Sequence, residues 1–415
     1  MHRGTSKISL KKIQMNYQSK VSICLPTYNA GGFLPQAIDS ILNQTFKDFE
    51  IIVIDDGSTD NTPEIINRYL QKDSRIKYFQ NEENLGIFHN WNKCLESASG
   101  DYINMFAQDD VMLPRNLEIK VKILDENPHL GLVTSSVKII DAKGNLSQWD
   151  WANYPEDKLA KGQEWVINNA GEANPICCPF VLMNRRVLEK VGGKFNTNLA
   201  YASDFEMWLR IGLAADLYFI EETLGYYRWH EGNKTHSFDD FYKVKEQLQI
   251  WDFIIDSLGL SGEELERLEK EAIARTIKWV TSTRIYPHLE ANNLEEVFQL
   301  CQLLESWRGK VELSEIVGEL GYKIQEINRH KSRLESEVET FSNWVNNLDK
   351  VTSQLQLEVK NATEERDKLQ KSNAELELEV KAQAFQLKQL KEEKAWLKSQ
   401  LKAWMLAAQK GKKEM

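Results

Sequence analysis

The sequence predicts an α/β domain on a mainly parallel sheet with flanking helices, followed by a helical region and a long C-terminal coiled coil. Three observations carry this prediction. Strand-like and helix-like segments alternate from Val21 to about Ile140. All nine prolines lie at or before Pro287, and after Gly321 the only further glycine is Gly411. Apolar residues then recur in a heptad pattern. The alternation implies βαβ units. A chain free of proline and almost free of glycine can run as long helix, since both residues break one.

The elements follow in order. "VSICLPTYN" (21–29) is an apolar strand entering a turn, and "FLPQAIDSILNQ" (33–44) has helical spacing. "FEIIVIDDGS" (49–58) is a buried strand ending in carboxylates, and "NTPEIINRYLQ" (61–71) is a helix. "IKYFQ" (76–80) is a short strand, and "IFHNWNKCLESA" (87–98) a helix. "YINMFAQDD" (102–110) is a strand ending in an acid pair, and "LPRNLEIKVKILDENP" (113–128) a helix opened by proline. Ligands of such sheets bind beyond the carboxyl ends of the strands. Three polar clusters fall there: Thr27-Tyr28-Asn29, Asp55-Asp56-Gly57-Ser58 and Asp109-Asp110. They are expected in one cleft.

Residues 172–236 mix strand and helix signals, and 238–318 read as amphipathic helices. From Leu320, steps of seven give Ile327, Leu334, Phe341, Leu348, Leu355, Ala362, Leu369, Leu376, Gln383, Leu390, Leu397 and Trp404. The companion seam runs through Ile324, Lys331, Val338, Val345, Thr352, Val359, Arg366, Asn373, Val380, Leu387, Lys394 and Leu401. Leucine at one set and β-branched residues at the other favour a parallel dimer of about a dozen heptads, on the order of 130 Å long. The expected domains are a flexible leader at 1–20, an α/β domain at 21–237, a helical extension at 238–318, a coiled coil at 319–406 and a basic tail at 407–415.

A formal net charge of −10 argues against nucleic acid as the main partner. Five cysteines show neither metal spacing nor a disulfide pattern, so free thiols and a cytoplasmic setting are expected. No apolar run approaches the ~20 residues needed to cross a bilayer. The terminal stretch "KAWLKSQLKAWMLAAQKGKKEM" combines indoles with lysines, so peripheral contact with the inner face of a membrane is a further expectation. Packing in the coiled coil is the competing role for Trp404.

Residues from Val21 to about Arg228 resemble the family 2 inverting glycosyltransferases with a GT-A fold. The likeness rests on "VSICLPTYNAGGFLPQAIDSILNQTFKDFEIIVIDDGSTDNT", "NLGIFHNWNKCLESASGDYI", "QDDVMLP" and "SDFEMWLRIG". The residues alone call for a nucleotide-like ligand in an α/β cleft; the resemblance supplies sugar nucleotide and glycosyl transfer. It implies that Pro26, Thr27 and Tyr28 line the base pocket, that Asp55 accepts from a uracil N3–H, and that Asn84 and Gly86 flank base and ribose. Asp56, Gly57, Ser58 and Asp60 are expected to shape turns and cap the following helix.

The family's D-x-D-D motif aligns with Ala107 in place of the first aspartate, leaving Asp109 and Asp110. By that likeness Asp109 bonds the ribose hydroxyls, while Asp110 ligates Mg²⁺ or Mn²⁺ on the diphosphate, with His230 as a further metal ligand and Arg228 close by. A hard cation suits carboxylate and phosphate oxygens. Asp204 takes the position of the general base, next to Ser203 where the family has glutamate, with Glu206 as second choice. Lys234 and His236 are expected on a loop over the donor, and 174–193 on the acceptor side, with Cys177 and Cys178 as packing residues. Trp149 and Trp151 offer stacking faces for an acceptor sugar, although burial is the simpler reading for both, as for Trp165.

The implied activity is metal-assisted transfer from a nucleotide diphospho-sugar, expected to be a UDP-sugar, to a saccharide or lipid-linked saccharide, in cell-surface polysaccharide or glycoconjugate synthesis. The alternative is a catalytically weak transferase-like domain serving as a coiled-coil scaffold, for which Ala107 and Ser203 speak. A nucleotidyltransferase would need a basic phosphate loop after the first strand, and "LPTYNAGGF" has none.

Overall fold

The computed structural model describes residues 19–285, 287–288, 291, 293–307, 313–368 and 374–411. The leader expected at 1–20 therefore falls almost wholly outside the described residues. The chain divides into two compact units, with the boundary between Thr276 and Ile277.

The first unit is built on one sheet. Its strands are β1 (Val21–Thr27), β2 (Phe49–Asp55), β3 (Ile76–Gln80), β4 (Tyr102–Met105), β5 (Val111–Met112), β6 (Leu130–Ile140), β7 (Leu146–Ala152), β8 (Lys158–Ala160), β9 (Leu182–Asn184) and β10 (Asp216–Arg228). The order is β3-β2-β1-β4-β9-β6-β10-β5, with β7 on β6 and β8 on β10. The expected parallel pairing holds from β3 to β4, and β6 and β10 are also parallel; β9 joins β4 to β6 antiparallel. β1 and β2 are buried on both faces because helices cover both sides, which is why their sequences are apolar without alternation. Each fully buried Ile or Val there contributes about 1.5–3 kcal/mol.

Helices α1 (Leu34–Leu42), α2 (Thr62–Leu70), α3 (Ile87–Ser97) and α4 (Asn116–Glu126) match the segments expected from periodicity. α1 and α2 start with proline in the first turn. Further on come α5 (Gly162–Asn168), α6 (Arg185–Lys190), α7 (Ser203–Ala214), α8 (Asp240–Ser257) and α9 (Glu263–Val280). Register matters for function. Thr27 lies beside Asp55, and Asp55 beside Gln80, so the polar strand ends form one row.

The domain boundary differs from the one read in the sequence. α8 and most of α9 group with the sheet rather than with the tail. Trp251 of α8 is buried edge-on against Phe205, and Gln247 Nε2 donates to the Glu172 carbonyl at 2.8 Å. Amphipathic spacing showed that these segments are helical; it could not show that their apolar faces belong to the core of the α/β domain.

In the second unit, α10 (Leu294–Ser306) precedes two long helices, α11 (Leu313–Lys368) and α12 (Ala374–Gly411). Asp349 and Lys394 form an ion pair and lie about equally far from the gap between those helices, so α12 runs back along α11. Val345, Thr352 and Leu397 are buried, and all three are seam positions of the expected heptads. Leu357, Phe385 and Trp396, off the seam, are exposed. These seam positions are covered where α12 packs antiparallel on α11 within one chain, which differs from the unbroken helix that the spacing predicts. The sequence holds the reason: around Ala362, Arg366 and Asn373 the seam loses its large apolar residues, and a continuous helix would bury the least there. The side chains of Trp404 and Leu406, like residues 412–415 of the basic tail, fall outside the described residues. Among the described residues no helix is long and apolar enough to cross a membrane.

Candidate active site

The row of strand ends opens into a cleft whose donor side is built by β1, β2 and the loops after them. Asp55 is fully buried at the end of β2. Its Oδ1 accepts from the Ser58 amide at 2.9 Å, and its Oδ2 from Tyr78 Oη at 3.0 Å and Gln80 Nε2 at 3.3 Å. Asp56 accepts from Asn81 Nδ2 at 2.7 Å and from the amides of Leu85 and Gly86 at 2.9 Å each. Such hydrogen bonds to a charged group contribute about 1.5–3 kcal/mol each, so the two acids fix both loops. Gly57 has φ +75°, and a Cβ there would stand 3.2 Å from the Glu83 carbonyl carbon, so the turn needs glycine. Asn84 is exposed, and its Oδ1 accepts from the Gly86 amide at 3.1 Å.

Pro26 is half-buried and Thr27 buried, while Tyr28 is 44% exposed with its ring available to a base. Gln108, in the loop after β4, clamps Tyr28. Its Oε1 takes the Tyr28 amide at 2.8 Å and its Nε2 donates to the Tyr28 carbonyl at 3.2 Å. The clamp brings the base-side turn to the acid pair.

Asp109 and Asp110 point to different partners, which relieves their repulsion. Asp109 Oδ2 lies 3.0 Å from His230 Nε2 and 3.3 Å from Asn233 Nδ2. The Gly232 amide donates to His230 Nδ1 at 3.1 Å, so in the neutral ring the hydrogen sits on Nε2 and faces Asp109. Asp110 has no exposed surface; its Oδ1 accepts from the Arg228 amide at 2.7 Å, and its Oδ2 has no hydrogen-bond partner. Burial first, and then the Asp109 charge, push the Asp110 carboxyl well above the usual range.

This arrangement shifts the expected division of labour. Asp110 was expected at the cation, but its carboxylate has no exposed surface, whereas the side chains of Asp109 and His230 are each 16% exposed. Arg228, expected near the diphosphate, is buried and committed within the protein. Its guanidinium donates to the carbonyls of Asp109 at 2.7 Å and Asp141 at 3.0 Å and to Gln36 Oε1 at 2.6 Å. Among the described residues no group of three or more His, Cys, Asp or Glu could hold a metal ion unaided. The Asp109 carboxylate fits a divalent cation whose other ligands are substrate oxygens; His230 could join it through Nε2 only with the ring hydrogen moved to Nδ1, away from the tautomer that the Gly232 contact favours.

Asp204 opens α7. Its Oδ1 accepts from the Phe205 amide at 2.7 Å and its Oδ2 from Asn174 Nδ2 at 3.3 Å. Burial pushes its carboxyl up to about 6. Glu206, the second choice for a base, is excluded by its partner: Arg210 holds both its oxygens, at 2.7 and 2.8 Å. Ser203, where the family has glutamate, is buried with an unpartnered Oγ. Beneath the loop into α7 sits Glu246 of α8, buried, accepting from the amides of Ala200 at 2.6 Å and of Tyr201 and Ala202 at 2.9 Å. One carboxylate therefore fixes the approach to Asp204.

The acceptor-side wall is pinned from below. Asn104 Nδ2 donates to the carbonyls of Pro179 and Val181 at 2.9 and 2.7 Å, and buried Lys120 Nζ to that of Phe180 at 2.6 Å. Gly225 of β10 lies against the Phe180 ring, where a Cβ would fall 1.8 Å from a ring carbon. Cys177 and Cys178 are free and buried in this wall, as packing residues. Their thiols are pushed up, by burial first and then by the charges of Asp110 and Asp204.

The family described as Glycosyl transferase family 2 matches residues 22–192. An uncharacterized glycosyltransferase of Methanocaldococcus jannaschii is 35% identical over 213 residues, 50% of this chain and 70% of that protein. The chain belongs to glycosyltransferase family 2. An uncharacterized glycosyltransferase of Haemophilus influenzae is 34% identical to this transferase over 224 residues, 52% of the chain and 67% of the relative. The crystal structure of S. aureus TarS (residues 1–349) with UDP-GlcNAc aligns at TM-score 0.55 and 19% identity, covering 74% of this transferase and 92% of TarS, which shows a shared fold.

Of the expected residues, the fold of this transferase brings Thr27, Tyr28, Asp55, Asn84, Gly86, Asp109 and His230 to the strand ends, with Asp204 at the start of α7. Lys234 lies over the Phe238 ring at 5.7 Å, and the His236 side chain falls outside the described residues. Sequence reasoning missed Gln108, Asn174, Asn233 and Glu246. Gln108 had a signal, since it adjoins the acid pair. Glu246 had none, because its partners are backbone amides far away in the chain.

Proposed function

We propose that this transferase moves a sugar from a nucleotide diphospho-sugar, a UDP-sugar, to a saccharide or lipid-linked saccharide acceptor with inversion, in cell-surface polysaccharide or glycoconjugate synthesis. The observation that carries the reading is Asp204: a carboxyl raised to about 6 by burial, in the first turn of α7. A base of that strength is ionised at neutral pH yet can still take a proton in the transition state. The acceptor hydroxyl gives its proton to Asp204 as its oxygen attacks the anomeric carbon. The bond to the nucleoside diphosphate breaks on the opposite face. Asn174 and the Phe205 amide keep the carboxylate aimed during the transfer.

On the donor side, Tyr28 offers a stacking face, and Asp55 is the carboxylate for the uracil edge. The TarS complexes with UDP-GlcNAc and UDP support this choice of nucleotide. Mg²⁺ or Mn²⁺ would be held by Asp109, joined by His230 once its ring hydrogen has moved to Nδ1, and would neutralise the departing diphosphate. Membership of glycosyltransferase family 2, with Asp55, Asp109, His230 and Asp204 all present, disfavours the scaffold alternative. A melting-temperature screen of UDP, GDP and TDP with and without Mn²⁺ tests the reading, because a ligand of the folded state raises the midpoint. A cation-dependent shift with UDP is expected; a response to none of the three would overturn it.

A further inference from the structure

Beside the acid pair lies an aromatic cluster that the transfer chemistry does not use. Trp149 and Trp151 alternate along β7, and Tyr227 and Trp229 alternate across the end of β10. Both pairs therefore face the same side of the sheet. Trp151 packs on Tyr227 with ring centroids 4.6 Å apart, and Trp229 lies 6.4 Å from Trp151 and 6.3 Å from Tyr227. Tyr227 and Trp151 are both half-buried, but Trp149 is 64% and Trp229 42% exposed. The Trp229 amide donates to the Ile140 carbonyl at 2.8 Å, which fixes the start of the loop that delivers His230. The next residue, His230, meets Asp109 at 3.0 Å. The exposed indoles thus border the reaction centre.

Resting on the proposed function, in which a second sugar must reach this cleft, we propose that Trp149, Trp151 and Trp229 form an acceptor subsite that takes the apolar face of an uncharged pyranose. Indole faces match the C–H face of a sugar ring, and the polar groups around them set its hydroxyls. Glu231 follows His230 and is exposed, whereas Asp150, between the two β7 indoles, points to the opposite face of the sheet. Carboxylates accept from sugar hydroxyls but repel anionic lipid headgroups, so the surroundings favour a neutral saccharide over a membrane surface.

Saturation-transfer NMR on the full chain tests the subsite, with methyl β-glucoside, methyl β-galactoside and methyl β-N-acetylglucosaminide as probes. At least one is expected to show saturation strongest at the ring C–H protons. The signal should fall about tenfold in the double variant Trp149→Ala/Trp229→Ala and recover with phenylalanine at both positions. The melting temperature of each variant reports its folding, and Trp149→Ala alone, at an exposed site, serves as a second variant that keeps the fold. No saturation with any probe, or a signal unchanged in the folded alanine variants, overturns the subsite. So does tryptophan-dependent binding to phosphatidylglycerol vesicles. The UDP-induced melting shift of the unmodified protein is read separately: if it fails, the donor reading fails, whatever the saccharide result.

Discussion

At the donor end of the cleft, Asp55, Asp56 and Asp60 find their partners on β3, in the two loops that follow β1 and β2, and in the Asn81–Gly86 turn. At the acceptor end, Asp204 depends on Asn174, on a loop held by Glu246, and on a wall braced by Asn104 and Lys120. The donor end is nearly self-contained in sequence; the acceptor end is assembled over long chain separations. That difference separates the part of the site that binds a nucleotide from the part that sets the reactivity of the base.

Variants at the two ends should therefore fail differently. The largest effect is expected for Asp204→Asn, which removes the proposed base and lowers the turnover of the UDP-sugar donor by about 10²–10⁴-fold with little change in UDP binding. Loss of UDP binding in that variant would break the contrast between the ends. Asp109→Asn should weaken the apparent affinity for Mn²⁺ by about 10–100-fold, read from the cation dependence of UDP release. Asp110→Asn, at a sealed position, should move that dependence less. The reverse order would restore the sequence-based assignment.

Glu246→Gln sharpens the comparison, since Glu246 touches no substrate and acts as a positioning residue. Turnover should fall about 10–100-fold while the KM for donor stays unchanged, because the base is displaced and the nucleotide pocket is not. A parallel loss in both parameters would mean a general collapse of the site.

The smallest effect concerns stability beneath the donor end. Glu50 of β2 is buried, and burial alone would raise its carboxyl. Hydrogen bonds from Lys77, Ser22 and Ser99 outweigh that and bring it down from an ordinary 4.5 to about 2. A carboxylate with a depressed value stabilises the fold fully above its unfolded value, and that contribution is lost as pH falls through about 2. Glu50→Gln should lower stability by about 1–3 kcal/mol at neutral pH and flatten the loss between pH 4.5 and 2, measured by denaturant melts.

The same contrast explains what was legible in the sequence. β1 to β4 and α1 to α4 were readable because each is a complete local pattern ended by turn residues. Val345, Thr352 and Leu397, three of the heptad positions, are buried. What covers them was not readable: apolar periodicity says which face is covered, and cannot say whether the cover is a second copy or the same chain folded back. The adjacent acids were visible as a pair, but their opposite fates depend on the backbone of Arg228, a contact across 118 residues. Glu246 lies in a helix that reads as generic, and only the folded loop at 200–202 shows what its charge is for.

The central claim is that burial has tuned Asp204 to serve as the base. The direct measurement is the pH dependence of UDP release from a UDP-sugar donor, with water as acceptor and Mn²⁺ saturating. The rate should rise about tenfold per pH unit up to a bend near 6 and then level off, since only the ionised carboxylate accepts a proton. The bend should be absent from the residual activity of Asp204→Asn. A flat profile between pH 4 and 7, or a bend that survives in the asparagine variant, would contradict the account.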